Sequence, residues 1–331
     1  MMKNLEKYYK GKSVLITGGL GFIGSTLAQR LVKLKSSVTI VDSLIPQYGG
    51  NMFNIHQVKN KVKINFSDVR DKYSMNFLIK DKDLLFNLAG TLSHIDSMTD
   101  PFTDLEVNCA AQLAILEACR NYNPGIKIIF AGTRSQYGRP EYLPVDEKHP
   151  LKPADVNGIN NIAGESYHLL YNEVYGIKAC SLRLTNTFGP RHQMHHHRQG
   201  IINWLIRQVI DGNEVKLYGD GAQVRDVSYV DDVVDAFIIA MARNEANGQV
   251  FNLGGTPISL EEITRLIIKI NKKGSYRIVP YPSDIKKIEV GNYVADYGKI
   301  KDMLGWFPQV SLEDGIRRTL AFYKKYKRHY W

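Results

Sequence analysis

Three glycines spaced through Thr17-Gly18-Gly19-Leu20-Gly21-Phe22-Ile23-Gly24 constrain this chain more than any other feature. The apolar run Val14-Leu15-Ile16 precedes them and the apolar segment 22–34 follows, so the stretch reads as strand, tight turn and helix. Gly18 permits the turn, Gly21 lets backbone approach a pyrophosphate, and Gly24 lets helix pack on strand with no side chain between. A phosphate held there sits at a helix N-terminus, where free N–H groups and the helix dipole favour negative charge. A second strand, Ser37–Val41, ends in Asp42, 18 residues beyond Gly24. A carboxylate at that tip accepts hydrogen bonds from ribose hydroxyls and repels a 2′-phosphate, which favours NAD over NADP. Such a turn and such an aspartate also occur without a ligand; the βαβ frame is what tilts the reading toward a dinucleotide.

The alternation of apolar strand and helix continues, with strands expected at 61–66, 83–88, 126–131 and 178–184 and helices at 72–80, 101–119 and Val156–Tyr175. That pattern predicts an α/β fold, a Rossmann-type doubly wound parallel sheet. Asp68 and Val69 follow the third strand; Asp68 either faces an adenine amine or caps the next helix. Asn87-Leu88-Ala89-Gly90 ends the fourth strand with small residues that let backbone pass close to a cofactor. From Gly189 the texture changes to a His-rich loop, then a helix from Ile201, a strand to Tyr218 and the run Arg225-Asp226-Val227-Ser228-Tyr229-Val230. Residues 1–189 are read as the NAD-binding domain, with about 226–256 returning to it, and 190–331 mainly as a smaller, interleaved α/β substrate domain. Two short helices are expected around Lys299 and Glu313.

The 331 residues, 44% hydrophobic, are enough to bury a large core. Cys109, Cys119 and Cys180 lie in apolar segments without metal-ligand or redox spacing, which suits free thiols in a reducing, cytoplasmic setting. No apolar run reaches spanning length, so neither a signal peptide nor a membrane span is expected. The net charge of +10 is spread along the chain apart from a tail cluster, 324–329, and lacks the basic-aromatic array of a nucleic-acid surface. It reads as solvated surface that also suits a small dianionic substrate.

By these residues the chain resembles the extended short-chain dehydrogenase/reductase family, in particular its nucleotide-sugar epimerases and dehydratases. The resemblance runs through the glycine motif, Asp68-Val69-Arg70-Asp71, Val107-Asn108, Gln136-Tyr137-Gly138, Arg183 to Pro190, Arg225 to Asp232, Asn252-Leu253-Gly254-Gly255 and Leu304-Gly305-Trp306. It implies NAD as cofactor, bound by Gly18, Gly21, Phe22, Ile23, Gly24, Asp42, Asp68, Val69, Leu88, Ala89 and Gly90. It implies a nucleoside-diphosphate sugar as substrate, its diphosphate gripped by Asn186 and Arg225, and a homodimer built on the two long helices. A guanidinium at 225 suits bidentate phosphate binding, though an ion pair with Asp226 or Asp232 is its other reading.

The family's catalytic groups are a Ser or Thr and a YxxxK pair on one helix. Thr133 stands at the hydroxyl position. Counting back from Ala163-Gly164-Glu165 puts Asn157 where Tyr is expected and Asn161 where Lys is expected, so two carboxamides share the face that normally carries the pair. A phenol beside an ammonium can take a proton from a sugar hydroxyl, whereas a carboxamide does not titrate in the useful range. Losing a general base typically costs about 10²–10⁴-fold. The Asp-Glu pair that dehydratases carry after the Thr is replaced by Arg134-Ser135, which lowers the case for a 4,6-dehydratase. His94, also a candidate substrate contact, and the loop histidines His192, His195, His196 and His197 are the remaining proton acceptors; the loop is expected to be mainly solvated, and no metal site is expected there. Epimerisation with a nonstandard proton relay is the leading expectation. Its rivals are a dehydratase or dehydrogenase on the same substrates and a catalytically silent binder of the same ligands.

Overall fold

A computed structural model of the chain describes residues 2–281 and 290–331. Strands β1 (Ser13–Thr17), β2 (Ser37–Val41), β3 (Val62–Asn65), β4 (Leu84–Asn87), β5 (Lys127–Thr133) and β6 (Ala179–Leu184) come first; β7 (Asn186–Phe188), β8 (Glu214–Tyr218), β9 (Val224–Tyr229), β10 (Val250–Asn252), β11 (Thr256–Ser259) and β12 (Ser275–Val279) follow. Seven of them form one parallel sheet in the order β10-β6-β5-β4-β1-β2-β3. The order reverses between β1 and β4, and an open parallel sheet has its crevice at such a switch point, beyond the carboxyl ends of the strands. Two small sheets, β11-β9-β7 and β12-β8, stand beyond that end.

The helices are α1 (Met2–Tyr9), α2 (Phe22–Lys33), α3 (Lys72–Leu78), α4 (His94–Thr99), α5 (Pro101–Leu105), α6 (Ala111–Tyr122), α7 (Val156–Tyr175), α8 (Ile201–Asp211), α9 (Val230–Ala242), α10 (Leu260–Asn271), α11 (Gly298–Leu304) and α12 (Leu312–Tyr326). Helices α2 and α9 cover one face of the main sheet, burying Leu27, Phe86, Phe237, Phe251 and Trp306 in one cluster. The other face carries α3, α6 and α7 over Leu15, Leu85 and Ile128, with Ile115 of α6 packed among them. A separate core joins α8, α10 and α12 through Leu205, Ile263 and Leu320. At about 25 cal/mol per Å² of apolar surface, such clusters supply the main driving force for folding.

Local signals explain the helix ends. Asp155 caps α7 by accepting from Gly158 N at 2.7 Å, and Gly176 closes it in the left-handed region at φ +68°. Ser259 and Glu262 form a reciprocal capping box on α10. None of the described helices is long and apolar enough to cross a membrane.

The structure corrects several expectations. Asp71, not Asp68, caps α3, accepting from Tyr73 N and Ser74 N, while Asp68 is bound by the Arg70 guanidinium. The helix expected from Pro101 is broken by a π-helical stretch, Glu106–Ala110, between α5 and α6. The helix around Glu313 runs 15 residues, because packing on α8 and α10 supplies a seat that propensity alone does not reveal. Helix α1 was not expected; it docks by Tyr9, whose buried hydroxyl donates to Ile238 O at 2.8 Å. In the His-rich loop His192, Gln193 and Met194 are buried, while His195 and His197 are exposed.

Candidate active site

A cavity of about 770 Å³ opens at the switch point and runs from the glycine turn to the small sheets. Its floor is set by hydrogen bonds between strand tips. Thr17 Oγ1 donates to Asn87 Oδ1 at 2.9 Å and accepts from Leu88 N and Ala89 N at 3.0 and 3.1 Å. One buried hydroxyl therefore fixes where the backbone of Leu88, Ala89 and Gly90 passes along the cavity wall.

The glycine turn fits a dinucleotide. Gly18 has φ +67°, and a Cβ there would sit 3.1 Å from the Ala89 backbone; a Cβ on Gly24 would sit 2.2 Å from Gly18 O. Gly21 is the N-cap of α2 and brings no side chain to its first turn, so that turn presents backbone to the cavity. Phe22 and Ile23 line the same wall, and Asp42, Asp68 and Val69 line the next stretch. Asp42 accepts from Leu20 N at 2.9 Å and Leu44 N at 2.8 Å, which clamps the glycine turn to the tip of β2. Burial pushes its carboxyl up, and these two N–H donors oppose the shift. Each oxygen keeps a lone pair for a further donor.

At the far end Asn186 and Arg225 also line the cavity. Arg225 is 7% exposed, and its guanidinium donates to Gly291 O at 2.7 Å, to Val224 O at 3.1 Å and to Gln223 Oε1 at 3.3 Å, an arrangement that holds the planar fork in one place. Asp226 and Asp232 accept backbone N–H groups instead, Asp226 from Gly255 and Ala295, Asp232 from Gln309 and Val310.

The catalytic positions divide. Thr133 lines the cavity and its oxygen accepts from Ser135 N at 3.2 Å and Ser135 Oγ at 3.1 Å, which leaves its own proton to donate. Asn161 also lines the cavity, its amide nitrogen donating to Asn157 O at 2.9 Å. Asn157 does not line it. Its amide nitrogen donates to Thr91 O at 2.8 Å and to Asp104 Oδ2 at 3.0 Å, in a buried cluster where Asp104 also takes Thr91 Oγ1 and Asn160 Nδ2. The two carboxamides stay in contact on one face of α7, Asn161 Nδ2 lying 3.4 Å from Asn157 Oδ1, but only Asn161 reaches the cavity, because the Asn157 amide is held by Thr91 and Asp104.

His94 lines the cavity, and its Nδ1 lies 2.5 Å from Asp155 Oδ2. Burial alone would raise the Asp155 carboxyl, but the His94 hydrogen bond and charge, Gly158 N and the nearby Arg134 outweigh it and hold the group below its ordinary value. Sequence reasoning singled out His94 and missed Asp155. An aspartate before a helix is legible as a cap, but nothing local reports a partner 61 residues away. Nor was the π stretch foreseen, although its Asn108 holds Thr91 in place with bonds of 3.1, 3.1 and 2.7 Å.

Comparison with known proteins identifies what the chain is similar to. The model of the NAD dependent epimerase/dehydratase family matches residues 14–254. The chain is 32% identical over 317 residues to a UDP-glucose 4-epimerase of Mycolicibacterium smegmatis, covering 94% of this chain and 98% of that one. Among solved structures it is similar to the UDP-glucose 4-epimerase of Thermotoga maritima with UDP-glucose, at TM-score 0.85, 30% identity and coverage of 95% and 99%. It is also similar to the Thermus thermophilus UDP-glucose 4-epimerase in complex with NAD, at TM-score 0.83, 30% identity and coverage of 94% and 99%.

Proposed function

Because the chain belongs to the NAD dependent epimerase/dehydratase family, we propose that it epimerises a ring carbon of a nucleoside-diphosphate sugar. One observation supports this above others: a single cavity joins the glycine turn and Asp42 to Thr133 and then to Asn186 and Arg225. NAD, when bound, supplies reversible hydride acceptance, which is the chemistry that makes a secondary alcohol pass through a ketone. Gly18, Gly21, Phe22, Ile23 and Asp42 would hold it, with Asp68 and Val69 toward the adenine end and Leu88, Ala89 and Gly90 along its length.

Residues 190–331 would hold most of the sugar nucleotide, with Asn186 and Arg225 on its diphosphate, a dianion suited to a guanidinium. Thr133 would donate to the sugar oxygen that carries charge as the ketone forms. Epimerisation is favoured over dehydration because Arg134 and Ser135 provide no carboxyl to protonate a leaving hydroxyl.

Helices α5 and α7 expose Phe102, Leu105, Ile159, Leu170 and Val174, an apolar set that suits a second copy of this chain. The test of the reading is direct. Purified protein with NAD and a panel of UDP- and dTDP-sugars should convert one of them to an equilibrium mixture of epimers, detected by proton NMR. Binding of a sugar nucleotide with no new epimer, ketone or dehydrated product would replace the reading with that of a silent binder. Light scattering on the eluting protein should give twice the chain mass.

A further inference from the structure

With Asn157 turned into the Asp104 cluster, proton transfer needs another group, and the cavity contains a histidine wired for it. We infer that His94, held by Asp155, is the general base and acid that exchanges a proton with the substrate hydroxyl. The inference rests on the proposed function and names the residue that would carry its proton step.

The geometry separates His94 from the other histidines of the cavity. Its Nδ1 is taken by Asp155 Oδ2 at 2.5 Å, and among the described residues Nε2 has no hydrogen-bond partner. Asp155 is itself fixed, since its other oxygen caps α7 at Gly158 N. A carboxylate on Nδ1 selects the tautomer with Nδ1–H and leaves the Nε2 lone pair for a proton. The side chain of His94 is 40% exposed, so an imidazolium formed there stays hydrated at one edge. His192, by contrast, is sealed: burial pushes it down to about 4, and its Nδ1 already faces Gln193 O at 2.6 Å. His197, the third histidine of the cavity, packs beside Trp204 with ring centroids 5.7 Å apart and, among the described residues, pairs with no carboxylate, while His196 does not line the cavity and has both ring nitrogens partnered, by Gln47 O at 3.0 Å and Gln193 Nε2 at 3.3 Å.

With bound NAD to accept the hydride that leaves carbon with the C–H electron pair, His94 would take the hydroxyl proton on Nε2 as the O–H bond breaks. The carbinol becomes a ketone and His94 an imidazolium paired with ionised Asp155. In the reductive direction Nε2 returns that proton to the alkoxide as hydride comes back to carbon, so the cycle has no net redox change. Asp155 at the start of α7 is the charge on the imidazole; Arg134 after β5 acts on Asp155, and Asp96, two residues along α4 from His94, is paired with Arg198 of the loop at 3.0 Å.

The test uses full-length protein. His94→Gln should lose at least about 100-fold in kcat while nucleotide-sugar affinity, measured by calorimetry, changes less than about threefold. Asp155→Asn retains a capping oxygen, but its amide can donate to Nδ1 and leave the ring proton on Nε2, so kcat should fall at least about tenfold with nucleotide-sugar affinity unchanged. His94→Ala should regain turnover with added imidazole. Full activity in His94→Gln, or an unchanged kcat in Asp155→Asn, overturns the inference. If wild-type protein converts no sugar nucleotide, the proposed function fails, and nitrogen NMR decides this one separately. A neutral His94 with the proton on Nδ1, changed by Asp155→Asn, upholds the wiring; the proton on Nε2 overturns it.

Discussion

Asn157 places its amide 3.0 Å from Asp104 Oδ2, so its side chain serves a buried carboxylate instead of the cavity. Asp104 is 2% exposed and takes three side-chain donors, from Thr91, Asn157 and Asn160. Asn157→Ala should therefore lower stability by about 1–3 kcal/mol, the cost of an under-satisfied buried acceptor. Asn157→Asp should lower it further, by setting two carboxyls side by side. Urea titrations read both, and a change within error for Asn157→Ala would show that the cluster does not hold α7.

Asp42 is the next case. Replacing it with Asn removes the negative charge at the tip of β2 and spoils one of the two N–H bonds to Leu20 and Leu44. NAD affinity should fall about tenfold or more, while the preference for NAD over NADP narrows. Calorimetric titration with each dinucleotide measures the ratio; an unchanged ratio would mean that the carboxylate does not meet the ribose.

The buried pair of Glu165 and Arg183 ties α7 to β6. Glu165 also accepts Ser181 Oγ at 2.7 Å, and Arg183 donates to Tyr137 Oη at 2.6 Å. Every strong partner is engaged, so Glu165→Gln leaves a charged guanidinium under-compensated in a dry site. A loss of about 3–5 kcal/mol is expected in chemical denaturation.

Acid sensitivity has an identifiable source. His168 is held down to about 4, chiefly by burial; its Nδ1 faces Gly164 O at 2.7 Å and it stacks on Phe130. His192 is also held to about 4. Both are neutral in the native protein, whereas an unfolded imidazole takes up a proton near 6.5. Between about 6.5 and 4 the unfolded chain binds more protons, so stability falls as pH is lowered through that window, by at most about 1.4 kcal/mol per unit for each ring. His168→Gln should roughly halve that slope in denaturant titrations run across the window.

The main sheet was legible because a parallel strand buried on both faces is a short apolar run, and the glycine turn and Asp42 are local in sequence. That Asn157 and Asn161 lie four residues apart on one helix was equally legible, since the apolar pattern marks α7 and helix spacing does the rest. What could not be read was the fate of the substituted side chains. The capture of Asn157 by Asp104 spans 53 residues, and the pairing of His94 with Asp155 spans 61; both depend on α4 and α5 lying against α7. Helix α12 was shortened in the sequence reading because its seat is built by α8 and α10, far away in the chain.

Strand β10 is the last of the seven to be made, and it closes the β6 edge with only three residues, Val250–Asn252. Until it arrives, a nascent chain carries an open row of backbone donors and acceptors along β6, an invitation to pair with another molecule. Helix α9, which covers the same layer, also emerges after the first small-sheet strands. Synthesis must therefore proceed past residue 252 before the nucleotide half can be completed. A fragment cut at residue 189 should aggregate instead of serving as an independent nucleotide-binding unit.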